Sequence, residues 1–401
     1  SIGENKLVIG IILGALLGIF CGWSFGESML SLSWLGDLFL DALKMMIVPL
    51  IVGAIISGVT SLGDVRRLGK VGGYTLLYYA MTTACAVLIG LILVNIIQPG
   101  VSANLETEIT TEPILERENV GLSELIKSLI SPNIIHAASN TQLLPIIVFC
   151  LFFGAALTTI GKNKKSIINF FDELNEVMMK LVMWIMLFAP IGVFSLVASQ
   201  FARVGGGENI KAELIAVGSY FFTVILGLLC HFLLLFLILI IFSTHGKQYL
   251  LKLLRAILTA FGTASSSATL PLTMSCAIEA GIDKKSVKFV LPIGATINMD
   301  GTALYEAIAV MFIAQAYGIN MGATEQVIIF ITATLAAIGA AGIPQAGLVT
   351  MLIVLNAVNL PAEGIGMILA IDWLLDRFRT AVNVWGDSVG AAVIEPHLLK
   401  S

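Results

Sequence analysis

The sequence predicts an all-α polytopic membrane protein with eight transmembrane helices and two re-entrant helical hairpins, arranged as inverted repeats. Three observations predict it. Of the 401 residues, 58% are hydrophobic and 12% charged, against roughly 25% charged in a soluble domain. Apolar stretches long enough to span a bilayer recur along the whole chain. Lys and Arg gather in alternate connectors between those stretches, as topology requires. The formal net charge of −4 is too small to indicate a nucleic-acid partner. Cys21, Cys85, Cys150, Cys230 and Cys276 all lie in apolar segments with no CxxC pair, so they read as buried thiols.

The apolar segments run over 7–25, 35–62, 71–97, 121–160, 166–202 and 212–243, then 249–280, 286–317, 322–357 and 363–394. Lys6, the Arg66/Arg67/Lys70 group and the Lys162/Lys164/Lys165 group mark one side. Lys247, Lys252 and Arg255, then Lys284, Lys285 and Lys288, and finally Lys400 complete 14 of the 22 basic residues. Connectors 24–34 and 318–326 have none, and the acidic 98–120 segment has only Arg117, so it reads as an external loop. This alternation places both termini in the cytoplasm.

The basic groups at 247–255 and 284–288 flank an apolar segment that cannot cross once and keep both on one side. Segment 249–280 is therefore expected to enter and turn back, with its tip at "GTASSSATLP", residues 262–271. The same reasoning makes 322–357 re-enter from outside, with its tip at "IGAAGIPQAG", residues 338–347. An arm of about 14 residues spans roughly 20 Å, enough to pass the midplane but not to cross. Irregular backbone at that depth is tolerated only inside protein or beside water. Each hairpin precedes a helix with a polar centre, and such repeats point to substrate and ion sites.

The last helix reads "AIDWLLDRFRTAVNVWGDSVGAA", residues 370–392. At about 100° per residue, Asp372, Asp376, Arg379, Thr380, Asn383 and Asp387 share one face and Arg377 lies on another. This ordered column of anions, a cation and an amide suits a zwitterion with an extra carboxylate. Asp376 would take an ammonium, Arg379 would bind a carboxylate as a planar fork, and Asn383 would donate to a second one. Aspartate and glutamate have that pattern.

The stretch "ATINMDGTALYEA", residues 295–307, adds Thr296, Asn298, Asp300, Thr302 and Glu306 at membrane depth. Hard oxygen donors without neighbouring His or Cys argue against transition metals. Unwound carbonyls and acids at the midplane suit Na⁺. Tyr79, Thr82 and Thr83 share a further face, which by itself reads as helix-packing hydroxyls rather than as a site.

"SSSATLP", "GATINMDGTALYEA", "GAAGIPQAG" and "DWLLDRFRTAVNVWGDSVGA" together resemble the dicarboxylate/amino acid:cation symporter family, across essentially the whole chain. The resemblance implies a homotrimer in the plasma membrane, or the cell's inner membrane. Each protomer would have a fixed scaffold, residues 1–70 and 98–203, and a mobile transport domain, 71–97 and 204–401, that works as an elevator. The implied substrate site is Ser265, Ser266, Thr302, Ile343, Pro344, Gly347, Asp376, Arg379, Thr380 and Asn383. One implied Na⁺ site uses Gly294, Asn298, Asn383 and Asp387, and a second the backbone of Thr296, Ala337, Ile338 and Ala340. The third uses Tyr79, Thr82, Thr83, Asn298 and Asp300, which turns the tyrosine–threonine group from packing to function.

Two positions separate subtypes. Archaeal relatives carry Arg in the first hairpin tip, where this chain has Ala264, and the cation appears instead as Arg377, as in animal glutamate transporters. Glu306 stands where archaeal and neutral amino acid relatives have Gln, and it implies proton cotransport with K⁺ counter-transport. A carboxyl in a low-dielectric site can load and release a proton near neutral pH. The short 98–145 region lacks the long insertion of animal members, so a prokaryotic homologue with animal-like coupling residues is expected. The expected function is Na⁺-coupled import of glutamate or aspartate across the lipid bilayer, with no enzymatic activity. The alternatives are a proton-driven C4-dicarboxylate carrier, which would not need Asp376 for an ammonium, and a neutral amino acid exchanger, disfavoured by Arg379. An intramembrane aspartyl protease using Asp300 and Asp387 lacks the GxGD pattern. Anion leak is expected only as a side activity.

Overall fold

The computed structural model describes residues 2–61, 69–101, 103, 127, 129–140, 142–160, 164–204, 208–339 and 346–398. Among the described residues the chain is helical with no strand. In order the helices are α1 (Ile2–Phe25), α2 (Ser33–Ser61), α3 (Gly69–Ile97), α4 (Ile134–Ser139) and α5 (Leu143–Thr159). Then come α6 (Lys164–Met186), α7 (Ala189–Val204), α8 (Glu208–Phe242), α9 (Lys247–Thr263) and α10 (Ser266–Glu279). The last are α11 (Lys284–Ile297), α12 (Asp300–Ala316), α13 (Ala323–Gly339), α14 (Ala346–Ala357) and α15 (Ile365–Leu398).

Helix α1 has glycine at every fourth position, Gly10, Gly14, Gly18 and Gly22. Positions four apart share a helix face. A Cβ on Gly18 would lie 2.9 Å from the Phe194 carbonyl oxygen, and one on Gly22 2.6 Å from that of Ala198. Only glycine lets the α1 and α7 backbones approach this closely. Around that pair, α2 packs on α5, α6 and α7.

A second group gathers on α15 and α12. Helices α8, α9, α10, α11 and α12 all pack against α15, and α3 packs along α12. Every residue of α12 except Gln315 is buried, as expected of a helix apolar almost all round. The two groups meet where α2 touches α13 and α14, and where α1 and α7 touch α15.

Several predicted single segments are broken. Segment 166–202 becomes α6 and α7, whose axes bend by 57°. Pro190 has no N–H to continue the ladder, and Leu187 and Phe188 close with three-residue turns instead. Segments 249–280, 286–317 and 322–357 each become two helices, and in the first and last the arms pack on each other. By length and composition Ile9–Thr60, Gly72–Ile97, Lys211–Phe242 and Lys284–Ala316 could each cross a membrane, with the bent α6–α7 pair a fifth. The first of these stretches holds both α1 and α2.

Candidate functional site

The helix breaks build the site. At the end of α9, Ala264 takes the left-handed conformation with φ 50°. This leaves the last carbonyls of α9 without ladder partners. Arg377 of α15 supplies them, its Nη1 donating to the Phe261 and Gly262 oxygens at 3.1 and 2.6 Å. Ser265 then caps α10, its hydroxyl accepting from the Ala268 N–H at 3.1 Å. Ser266, the first residue of α10, is buried. Between α11 and α12, Asn298 and Met299 have ψ of 84° and 57°, outside the helical range. The Gly301 N–H leaves the ladder and donates to Asn383 Oδ1 at 2.8 Å.

That break brings four helices to one cluster of oxygens. Thr83 Oγ1 of α3 donates to Asp300 Oδ1 at 2.7 Å, and Thr82 Oγ1 lies 3.4 Å from Asn298 Oδ1. Asn298 turns its amide to Asp387 Oδ1 of α15 at 3.0 Å. Gly294 marks the convergence, since a Cβ there would lie 2.5 Å from both Asp387 Oδ1 and Tyr79 Oη. Tyr79 itself donates to the Val290 carbonyl at 2.8 Å. Asp300 and Asp387 are buried, and among the described residues neither pairs with Lys or Arg. Two such carboxylates are costly without a cation. Hydroxyls, an amide oxygen and carboxylates fit a hard monovalent or divalent ion.

A second cluster surrounds Arg379, which is fully buried. Its Nη2 donates to Asp376 Oδ1 at 2.8 Å and its Nη1 lies 3.3 Å from Asp372 Oδ1. The guanidinium stacks 3.9 Å over the Tyr305 ring. Nε and Nη1 make no hydrogen bond among the described residues. The start of α14 closes in at Gly347, where a Cβ would sit 2.7 Å from Arg379 Nη1. Thr380 donates to the Asp376 carbonyl at 2.8 Å, and Asn383 Nδ2 reaches Met299 Sδ and Thr302 Oγ1 at 3.3 and 3.4 Å. Glu306 is buried on α12, facing Thr350 of α14 and Arg379, and its oxygens make no hydrogen bond of good geometry there.

With this geometry in place, comparison with known proteins is decisive. A profile of the sodium:dicarboxylate symporter family matches residues 6–396. The chain belongs to the sodium:dicarboxylate symporter family. As a member it is an integral membrane transporter and not an enzyme, and the family implies coupling to sodium. It is similar to an excitatory amino acid transporter of Caenorhabditis elegans, 37% identical over 98% of this chain and 88% of that one. It is also 37% identical to excitatory amino acid transporter 3 of mouse, over 97% and 84% of the two chains. Excitatory amino acid transporter 2 of human is 37% identical over 100% of this chain and 80% of its own.

In this symporter the remaining expected residues distribute unevenly. Thr296 is exposed on α11, with its hydroxyl turned back to the Pro292 carbonyl at 3.0 Å. Ala337 is buried on α13, and the Ile338 carbonyl and the Ile297 side chain both face Gly58 of α2. Ala340, Ile343 and Pro344 lie outside the described residues. Sequence reasoning placed Asp372 on the polar face without a partner and assigned nothing to Tyr305, Met299 or His231, although all four touch assigned residues; His231, 2.9 Å from Asp300, corrects the expectation that no His neighbours the oxygen donors. An ionisable residue in the apolar run 226–242 was the available signal for His231.

Proposed function

We propose that the protein is a Na⁺-coupled symporter that imports acidic amino acids, glutamate or aspartate. The observation that carries this reading is Arg379, buried beside two carboxylates with donors still unmatched. A substrate carboxylate would satisfy those donors. It would also draw Arg379 off Asp376, freeing that carboxylate for the substrate ammonium. Thr302, Thr380, Asn383, Ser265, Ser266 and the second hairpin tip would complete the substrate shell. Sodium, when bound, supplies the positive charge that Asp300 and Asp387 lack. Tyr79, Thr82, Thr83, Asn298 and Asp300 would hold one ion, and Gly294, Asn298, Asn383 and Asp387 another. The backbone of Thr296, Ala337, Ile338 and Ala340 would hold a third.

Glu306 would load a proton with the substrate and leave the site open to K⁺ on the return. Arg377 would fix the first hairpin tip to α15 throughout that cycle. The α1, α2, α5, α6 and α7 group would form the trimerising scaffold, and the helices gathered on α15 the moving transport domain. Eight spans and two re-entrant hairpins would then sit in the plasma membrane or cell inner membrane with both termini cytoplasmic. The test is uptake of labelled glutamate into proteoliposomes with succinate and serine as competitors. Potent competition by succinate would favour a C4-dicarboxylate carrier and sink the assignment of Asp376.

A further inference from the structure

Helix α8 places a histidine in the middle of its apolar length, and it lands on the cation cluster. His231 Nε2 lies 2.9 Å from Asp300 Oδ2, and both side chains are fully buried. The other oxygen of the same carboxylate, Oδ1, takes the Thr83 hydroxyl at 2.7 Å. His231 Nδ1 has no hydrogen-bond partner among the described residues. The neighbouring ring stack fixes this part of α8 against α15, since Phe232 lies 5.2 Å from Trp385 and its carbonyl accepts from Trp385 Nε1 at 3.2 Å.

We infer that His231 is a positioning residue for Asp300: its Nε2–H holds one carboxylate oxygen so that the other faces the cation. A bare Nε2 lone pair could not sit 2.9 Å from a carboxylate oxygen without repulsion, so the proton belongs on Nε2. A carboxylate held at one oxygen cannot rotate to accept from Thr82 and Thr83 with both. Oδ1 therefore stays on the side of the threonines and Asn298. Partners behind a metal ligand commonly set its affinity in this way. The inference rests on the reading that the Asp300 cluster holds Na⁺.

The test measures the thermal unfolding midpoint of the purified full chain in lipid nanodiscs, without substrate, as Na⁺ replaces choline at constant ionic strength. Wild type should be stabilised by Na⁺, because a ligand that binds only the native state raises the midpoint. His231→Phe should raise the half-maximal Na⁺ concentration roughly 10–100-fold, and His231→Gln, which keeps an N–H donor, should recover most of that loss. Wild-type Na⁺ dependence in His231→Phe would overturn the inference while leaving the cluster's role intact. An unchanged Na⁺ response in Asp300→Asn would instead overturn the cation reading, and the inference with it. Should His231→Phe fail to fold, nitrogen NMR of labelled wild-type protein decides: an Nε2–H tautomer is expected, and an Nδ1–H tautomer overturns the assignment.

Discussion

Arg379 is fully buried, with two acids within reach and, among the described residues, donors left over. Replacing it with Cys should weaken glutamate by roughly 10–100-fold, the worth of one charge-assisted hydrogen bond. Serine or alanine should then compete better than glutamate does, which competition uptake would reveal; retained glutamate selectivity would contradict its role. Glu306→Gln should leave substrate recognition in place and flatten the dependence of net uptake on pH and K⁺. Measured uptake under imposed H⁺ and K⁺ gradients checks this, and unchanged dependence on both would refute the coupling role. At this scale much was legible. A column of Asp372, Asp376, Arg379, Asn383 and Asp387 on one helical face follows from 100° per residue alone. Which acid pairs with Arg379, and that Tyr305 lies beneath it, depends on neighbouring helices and cannot be read from one face. His231 escaped notice because periodicity sees an isolated polar residue in an apolar run, and its partner lies 69 positions away.

Among the elements, the α1–α7 contact and the first hairpin tip are the most sharply defined. Gly18→Leu would drive a side chain into the Phe194 carbonyl and Val197. Overpacking of this kind costs about 1–3 kcal/mol, so the thermal midpoint should fall, while Leu at the unobstructed Gly218 should change it little. Ala264 holds a left-handed conformation that glycine adopts freely. Ala264→Gly should therefore stabilise the folded protein by up to about 1 kcal/mol, read by the same midpoint. The turning point of the first hairpin was legible because small residues mark it, whereas residues 340–345 of the second tip lie outside the described residues. The 57° bend between α6 and α7 was not, because its flanks are as apolar as a continuous span and only Pro190 punctuates them. The four-residue glycine repeat on α1 was legible in principle, since small residues at that spacing signal close helix contact.

For the whole molecule, the packing divides into two groups that meet along α2, α7 and the second hairpin. If the group on α15 moves against the α1–α2 group, a bond across that seam should stop it. Gly58 of α2 lies against the Ile338 carbonyl, 3.5 Å from where a Cβ would stand. Gly58→Cys with Ile338→Cys, in a background without other cysteines, should lose uptake on oxidation and regain it on reduction. Uptake that survives a completed cross-link would exclude motion at this seam. The all-helical, apolar character of the chain was legible from hydropathy, but the pairing of helices into groups requires long-range contacts that one sequence does not encode locally. The most direct measurement is uptake of labelled glutamate and aspartate into proteoliposomes with a Na⁺ gradient as the only driving force. Accumulation that collapses when Na⁺ is equalised, and that Arg379→Cys weakens, is the expected result; accumulation indifferent to Na⁺ would contradict it.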